Sequence, residues 1–255
     1  TCKSPQQMLG AVTKSYWAEQ RGLDPRSVFG VSIMPCTAKK FEVGRGAMMH
    51  EGIADVDAVL TTRELARMIK VYGLDLANLA PEGPDNPFGL RSSAGKLFGA
   101  SGGVAEAALR TAYHLLTGEE LPMKSIKELR GLDGQKHFTV SVAGVELGVA
   151  VVSGLANARV LLDELDRGRS DVHFIEVMTC PGGCINGGGQ PLRADMKAIR
   201  ARLKALYDID RDDELRTAHA NPYIRELYAR YLGEPLSHRS HELLHTQYQR
   251  REVLR

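Results

Sequence analysis

Three cysteines carry most of the chemistry that this sequence offers. Cys36 follows an apolar run and a proline, in Met34-Pro35-Cys36. Cys180 and Cys184 end the stretch Cys180-Pro181-Gly182-Gly183-Cys184, which follows a second apolar run. Gly187, Gly188 and Gly189 come soon after, so five glycines lie between Gly182 and Gly189. Thiolates are soft ligands and suit copper(I), zinc or iron–sulfur clusters. Glycines let the backbone approach a bulky object and turn its N–H groups toward it. A cluster with anionic sulfides needs both, because hydrogen bonds to its sulfurs tune its potential. Zinc is the nearest alternative, although zinc motifs usually pair their cysteines and Cys36 stands alone. A plain core role is the third reading, most natural for Cys36, since unpaired cysteine is commonly buried. A phosphate-binding glycine loop fits poorly, because no Gly-Lys-Ser/Thr follows.

The elements that must position these residues alternate between helix and strand. Residues 4–19 read as a helix, with Ser4 as its cap, Pro5 at its first position and Met8, Val12 and Tyr16 on one face. Residues 28–33 and 56–60 read as strands. A helix opens at Thr62 with Glu64 in its first turn and stops at Gly73. Residues 79–96 are rich in Pro, Gly and Ser and read as loop. Gly102-Gly103 leads into a helix over 104–116. Two alternating stretches, 137–142 and 145–152, flank Ala143-Gly144 and form a hairpin. A helix over 155–165 precedes a strand over 173–178 that ends at Thr179-Cys180. Helices follow over 195–206 and 222–232. Both cysteine sites thus sit at the C-terminal ends of strands, where α/β sheets usually carry their sites. The tail, 237–248, has His238, His241 and His245 on a helical pattern. The spacing of His241 and His245 can seat a metal, but a solvated terminal helix is the favoured reading.

Composition narrows the class. The chain has 255 residues, 43% hydrophobic and 25% charged, which is ordinary for a globular α/β protein. Its net charge of +2 gives no reason to expect nucleic acid or an anionic membrane as a partner. Four cysteines are too few for a disulfide scaffold of this size, while 26 glycines are an excess. No apolar run reaches the ~20 residues a bilayer span needs. No signal peptide is visible, and the cytoplasm is the expected compartment, with the periplasm left open. The chain starts at Thr1 with residues that read as the interior of a fold.

Several stretches resemble the catalytic domain of iron-only (di-iron) hydrogenases. They are Ser4-Pro5-Gln6-Gln7-Met8, Met34-Pro35-Cys36-Thr37-Ala38-Lys39-Lys40-Phe41-Glu42, and the run from Phe174-Ile175-Glu176-Val177-Met178 through Cys180 and Cys184 to Gly189-Gln190-Pro191. Thr61-Thr62-Arg63-Glu64, Phe98-Gly99-Ala100-Ser101-Gly102-Gly103 and His241-Glu242-Leu243-Leu244-His245 are also similar to that family. The resemblance implies an α/β catalytic domain over 1–255, with two lobes of twisted mixed sheet flanked by helices and a cluster in the cleft between. Where one lobe ends is not readable from the sequence. It further implies an H-cluster: a 4Fe–4S cluster joined through a cysteine sulfur to a di-iron unit with carbon monoxide, cyanide and a bridging dithiolate amine. Carried over by motif, Cys36, Cys180 and Cys184 are metal ligands, with Cys184 as the bridge. Lys39 donates to an iron-bound cyanide, Met34 and Met178 pack beside the di-iron unit, and Gln6 and Phe98 line its pocket. Without the motif, Lys39 would read as a solvated lysine and the methionines as core.

The implied activity is the reversible reduction of protons to H2, with a ferredoxin or cytochrome as electron carrier. The family's first signature motif, which supplies the fourth cluster thiolate and a proton-donating cysteine, does not occur, and Cys2 is not expected to replace it. The expectation is therefore a fragment whose missing part is an N-terminal segment or a small subunit, and which does not turn over H2 by itself. Two alternatives share the cysteines: a Nar-type iron–sulfur assembly protein, and an H2-sensing relative. Met34, Lys39, Met178 and Gln190-Pro191 favour the hydrogenase.

Overall fold

The computed structural model describes residues 1–249 apart from 123–125, 127 and 193. The chain divides into two compact units, Thr1–Gly89 with Pro222–Arg255, and Leu90–Asn221.

The first unit opens on a helical run of three parts: α1 (Pro5–Val12), a π-helical turn over Thr13–Trp17, and α2 (Ala18–Gln20). Ser4 precedes it in extended conformation but does not cap it. Its hydroxyl donates instead to Glu42 Oε2 at 2.7 Å. Strand β1 (Val31–Met34) pairs in parallel with β4 (Ala58–Thr61), Met34 facing Thr61. The strand begins three residues later than its apolar pattern suggests: the Gly30 amide is taken by Asp57 Oδ2 at 2.6 Å, while its carbonyl receives the first β4 amide, Ala58 N–H, at 3.2 Å. Between them lie α3 (Ala38–Val43) and a small hairpin that the sequence did not reveal, β2 (Met49–His50) and β3 (Ile53–Ala54). Its turn uses Glu51 and Gly52, both at positive φ. Helix α4 (Thr62–Val71) starts on a capping box: Thr61 accepts from the Glu64 amide while Glu64 reaches back to the Thr61 amide.

The second unit begins with a short helix, α5 (Ser93–Leu97), inside the stretch read as loop. Helix α6 (Gly103–Thr117) ends at Gly118, whose φ of 74° is the left-handed stop that glycine favours. Strands β5 (Gln135–Val142) and β6 (Val145–Ser153) form the expected hairpin, with Ala143 and Gly144 at positive φ. After α7 (Leu155–Asp166), β7 (Phe174–Met178) pairs in parallel with β6, giving the order β5-β6-β7. The unbroken apolar run of β6 has a cause. Val149 and Val151 pack with Ala105 and Leu109 of α6, while Ala150 and Val152 pack with Ala158 and Leu161 of α7. Both faces of the strand are covered, so neither alternates to polar. Helix α8 (Met196–Asp212) is capped by Asp195 and runs six residues past the expected end.

The chain then returns to the first unit through α9 (Pro222–Leu227), a π-helical turn (Tyr228–Leu232) and α10 (His238–Leu244). Leu232 and Leu243 bury against Ala11. The expected helix over 237–248 stops at Leu244: His245 is extended and bridges to Cys2. Mixed parallel and antiparallel strands with flanking helices make the fold α/β. No described helix is long and apolar enough to cross a membrane.

Candidate metal centre

Strands β6 and β7 run in parallel and end together, Ser153 opposite Met178, and the Gly154 amide closes the pair on Met178 O at 2.8 Å. Thr179 and Cys180 follow at once. The turn after them is dictated by two glycines at positive φ, 79° at Gly182 and 96° at Gly183. A Cβ on Gly183 would lie 2.6 Å from the Ser101 amide nitrogen, so no side chain fits there. That close approach is fixed by two backbone hydrogen bonds. The Ser101 amide donates to Gly182 O at 3.1 Å, and the Ile185 amide donates to Gly99 O at 2.9 Å. Ile185 then anchors the turn in a core with Ala100, Ile199 and Leu203. Phe98, Cys180 and Cys184 therefore sit on segments strapped to one another, with Met178 at the end of β7 just before them in the chain, all four half-buried.

The glycine amides do more structural work than the sequence suggests. Gly182 N–H donates to Ser153 Oγ, Gly183 N–H to Cys180 O and Gly187 N–H to Cys184 O. These N–H groups shape the loop from within. Beside the loop, the hydroxyl of Ser101 is buried and has no hydrogen-bond partner among the described residues. A buried hydroxyl in that condition costs about 1–3 kcal/mol unless an acceptor is supplied. Among the described residues, no disulfide joins any of the four cysteines. Thiols on a turn that admits no side chain, next to a hydroxyl in want of an acceptor, fit a sulfur-rich metal cluster.

The remaining predicted site residues belong to the first unit. Cys36 lies half-buried in the short turn between β1 and α3, just after half-buried Met34. Gln6 and Lys39 meet at a residue to which the sequence assigned no role, Glu42. Gln6 Nε2 donates to Glu42 Oε2 at 2.9 Å, Lys39 Nζ to Glu42 Oε1 at 3.0 Å, and Gln6 Oε1 accepts from Ser32 Oγ at 2.8 Å. Burial acts to raise the Glu42 pKa, but hydrogen bonds from Ser4, Lys39 and Gln6 outweigh it and hold the carboxyl below its usual value. One of the three N–H groups of Lys39 is thus committed to orienting the side chain.

His241 and His245 do stack, with ring centroids 4.3 Å apart, but His245 is outside the helix. Among the described residues, three donors come within 4.8 Å of one another only at His114, Glu120 and His219. There the two imidazoles stack nearly parallel at 4.1 Å and Glu120 bonds His219 Nε2 at 2.8 Å. Parallel rings do not aim their lone pairs at a common point, so the group pins the end of α6 to the segment before α9. No sequence pattern announces contacts between residues so far apart. Glu42 and Glu176 did carry a signal: each is the lone acid of its motif.

Two family profiles tile the chain. The profile described as iron only hydrogenase large subunit, C-terminal domain, matches residues 1–188, and that of the iron hydrogenase small subunit matches residues 196–251. The NADP-reducing hydrogenase subunit HndD of Solidesulfovibrio fructosivorans is 49% identical over 255 residues, covering all of this chain and 43% of that protein. The cytosolic iron-sulfur assembly component 3 of Mus musculus is 35% identical, over 97% of this chain and 53% of that protein. An apo FeFe-hydrogenase structure from Chlamydomonas reinhardtii superposes with a TM-score of 0.83 at 43% identity, covering 97% of this chain and 69% of that one. The chain spans under half the length of its matched hydrogenase relative.

Proposed function

The chain belongs to the iron-only hydrogenase family, and on that premise we propose that it supplies thiolates and a shielding pocket to an H-cluster that interconverts protons and H2. When bound, that group, a 4Fe–4S cluster joined to a di-iron unit with carbon monoxide, cyanide and a dithiolate amine, supplies the electron and proton chemistry. The protein's residues bind and orient it. Cys36, Cys180 and Cys184 are its thiolate ligands, with Cys184 the shared sulfur. Lys39 offers a charged N–H to a cyanide, a strong contact because it is charge-assisted. Glu42 orients Lys39, and Gln6 ties Glu42 to the Ser32 hydroxyl of β1. Met34, Met178 and Phe98 are half-buried apolar groups that keep water from the metal. A ferredoxin or cytochrome is the electron carrier in this reading, and the cytoplasm, where thiols stay reduced, is the compartment.

The observation that carries the reading is the Cys180–Cys184 turn, pressed by Gly183 against the Ser101 amide with room for no side chain. The greater identity to the NADP-reducing hydrogenase subunit, 49% against 35% for the assembly component, favours the hydrogenase over a scaffold. Infrared spectroscopy of the anaerobically matured full-length protein tests it. Bands of iron-bound carbonyl and cyanide are expected. A protein that takes up a 4Fe–4S cluster but shows no such bands is an assembly-type protein, and the proposal fails.

A further inference from the structure

The strap that holds the Cys180–Cys184 turn is itself gripped by two buried charges. Glu176 is the one buried residue of β7, four positions before Cys180. Its Oε1 accepts from the Gly102 amide at 2.6 Å and its Oε2 from the Ala105 amide at 2.8 Å. Helix α6 starts there, and the first amides of a helix have no partner inside it. Lys136, buried on β5, donates to Ser101 O at 2.9 Å and to Gly131 O at 3.2 Å.

The Ser101 carbonyl and the Gly102 amide are two ends of one peptide unit. An ammonium therefore bonds its oxygen while a carboxylate bonds its N–H. Each contact is charge-assisted, and each polarises the peptide in the same sense as the other. Gly102 is needed for this: its φ is 96°, and a Cβ would lie 2.3 Å from Leu129 O and 3.3 Å from Lys136 Nζ. The next amide back along the chain, Ser101 N–H, is the one that donates to Gly182 O in the cysteine turn. The clamp, the strap and the turn are consecutive links.

We propose that Glu176 and Lys136 are positioning residues for the cluster, clamping the Ser101–Gly102 peptide between opposite charges and so setting the geometry of the Cys180–Cys184 turn and the electrostatic field beside it. This rests on the cluster-binding reading above. Neither residue ligates metal. They act through the peptide, and because their charges are buried and opposite, they bias the cluster's reduction in opposite directions.

The test is the midpoint potential of the 4Fe–4S cluster, followed by electron paramagnetic resonance in the full-length protein loaded anaerobically with iron and sulfide. Glu176→Gln removes a negative charge and is expected to raise the potential. Lys136→Met removes a positive charge and is expected to lower it, while Lys136→Arg, which keeps the charge, restores it toward wild type. Altered packing alone gives no reason for opposed signs or for that rescue. If Glu176→Gln does not fold, the Met and Arg pair at Lys136 still decides. Loss of iron from a variant that melts like wild type also supports the clamp. Shifts in the same direction, or potentials unmoved by either substitution, overturn the inference alone. A wild-type protein that takes up no cluster overturns the function and the inference together.

Discussion

The two cysteine-bearing turns begin alike and are supported differently. Each follows a strand with a parallel neighbour, β1 beside β4 for Cys36 and β7 beside β6 for Cys180. In the second unit the strands are packed on both sides, and the loop is stitched to the 99–102 segment by buried backbone bonds. In the first unit β1 belongs to a two-stranded sheet and leaves Val31 and Ile33 about half exposed. The turn after it is steadied by side chains, Ser4, buried Gln6 and Lys39 around Glu42, of which Lys39 and Glu42 remain partly open to water. The lesson is that this chain builds a rigid shelf for one cysteine-bearing turn and a more adaptable one for the other. Buried backbone bonds permit no alternative partners, whereas the partly exposed Lys39 and Glu42 side chains can exchange theirs for water.

The largest expected effect breaks the rigid side. Asp210, fully buried on α8, accepts from Arg110, Arg130, Arg216 and Ser93, while Glu106 also pairs with Arg110 and Arg130. Burial acts to raise its pKa, but these donors outweigh that and hold it far below the usual carboxylate range. Asp210→Asn takes one carboxylate from Arg110 and Arg130, which still meet Glu106, and removes the carboxylate with which Arg216 pairs. Breaking a buried ionic network in this way costs about 3–5 kcal/mol. The midpoint of urea unfolding should fall accordingly; a loss under about 1 kcal/mol would show the second unit to be no more rigid than the first.

Next comes Gly183→Ala. The positive-φ extended backbone at Gly183 (φ 96°, ψ −164°), a region open essentially only to glycine, costs about 1–3 kcal/mol and the clash with Ser101 about 1–3 more. Lower thermal stability and reduced iron uptake are expected together. Gly44→Ala at the end of α3 is the matched control. Its φ is −80° and a Cβ would meet only Phe41 O, at 3.6 Å, so little change is expected. Equal losses from both substitutions would contradict the comparison.

On the adaptable side, Glu42→Gln sharpens it. The carboxylate is partly exposed, so the stability cost should stay near 1 kcal/mol or below. Because the folded pKa of Glu42 lies below its ordinary value, the carboxylate stabilises the fold at neutral pH. That contribution fades as pH falls below the ordinary Glu range, and the variant should lack that part of the acid dependence. Acid titrations of both proteins that superimpose after a constant offset would remove Glu42 from this role.

How much of this was legible in the sequence follows from the range of the interactions. Strand ends, the Ala143-Gly144 hairpin and helix α6 rest on local chemistry, and the pattern of residues declared them. Cys180 and Cys184 stood out as ligand candidates because thiols and glycines crowd one short stretch, whereas Cys36 did so only through the resemblance of its motif. What escaped depends on distant partners. Ser4 looks like a helix cap until Glu42, 38 residues on, takes its hydroxyl. The short hairpin at 49–54 and helix α5 carry too few residues to show a period. Glu176 stands in an apolar strand as an apparent misfit. Only the fold shows that it meets the bare amides of α6, 71 and 74 residues earlier.

The smallest expected effect tests whether local chemistry alone holds the region after β4. Glu64 closes the capping box of α4 on the surface of the first unit. The Thr61 amide, and then Lys40 and the Thr61 hydroxyl, pull its pKa from 4.5 to about 2. A carboxyl whose pKa is depressed on folding stabilises the folded state while ionised. The contribution is complete above its unfolded value of 4.5 and is lost as the pH falls through about 2. Hydrogen exchange at the Thr61 and Glu64 amides should therefore quicken across that window, with the rest of the first unit unchanged. Glu64→Gln should abolish the pH dependence while leaving a weaker cap, because a neutral amide oxygen still accepts a hydrogen bond. If exchange over the whole unit quickened together, the cap would be part of a cooperative core, and the first unit would share the rigidity assigned here to the second.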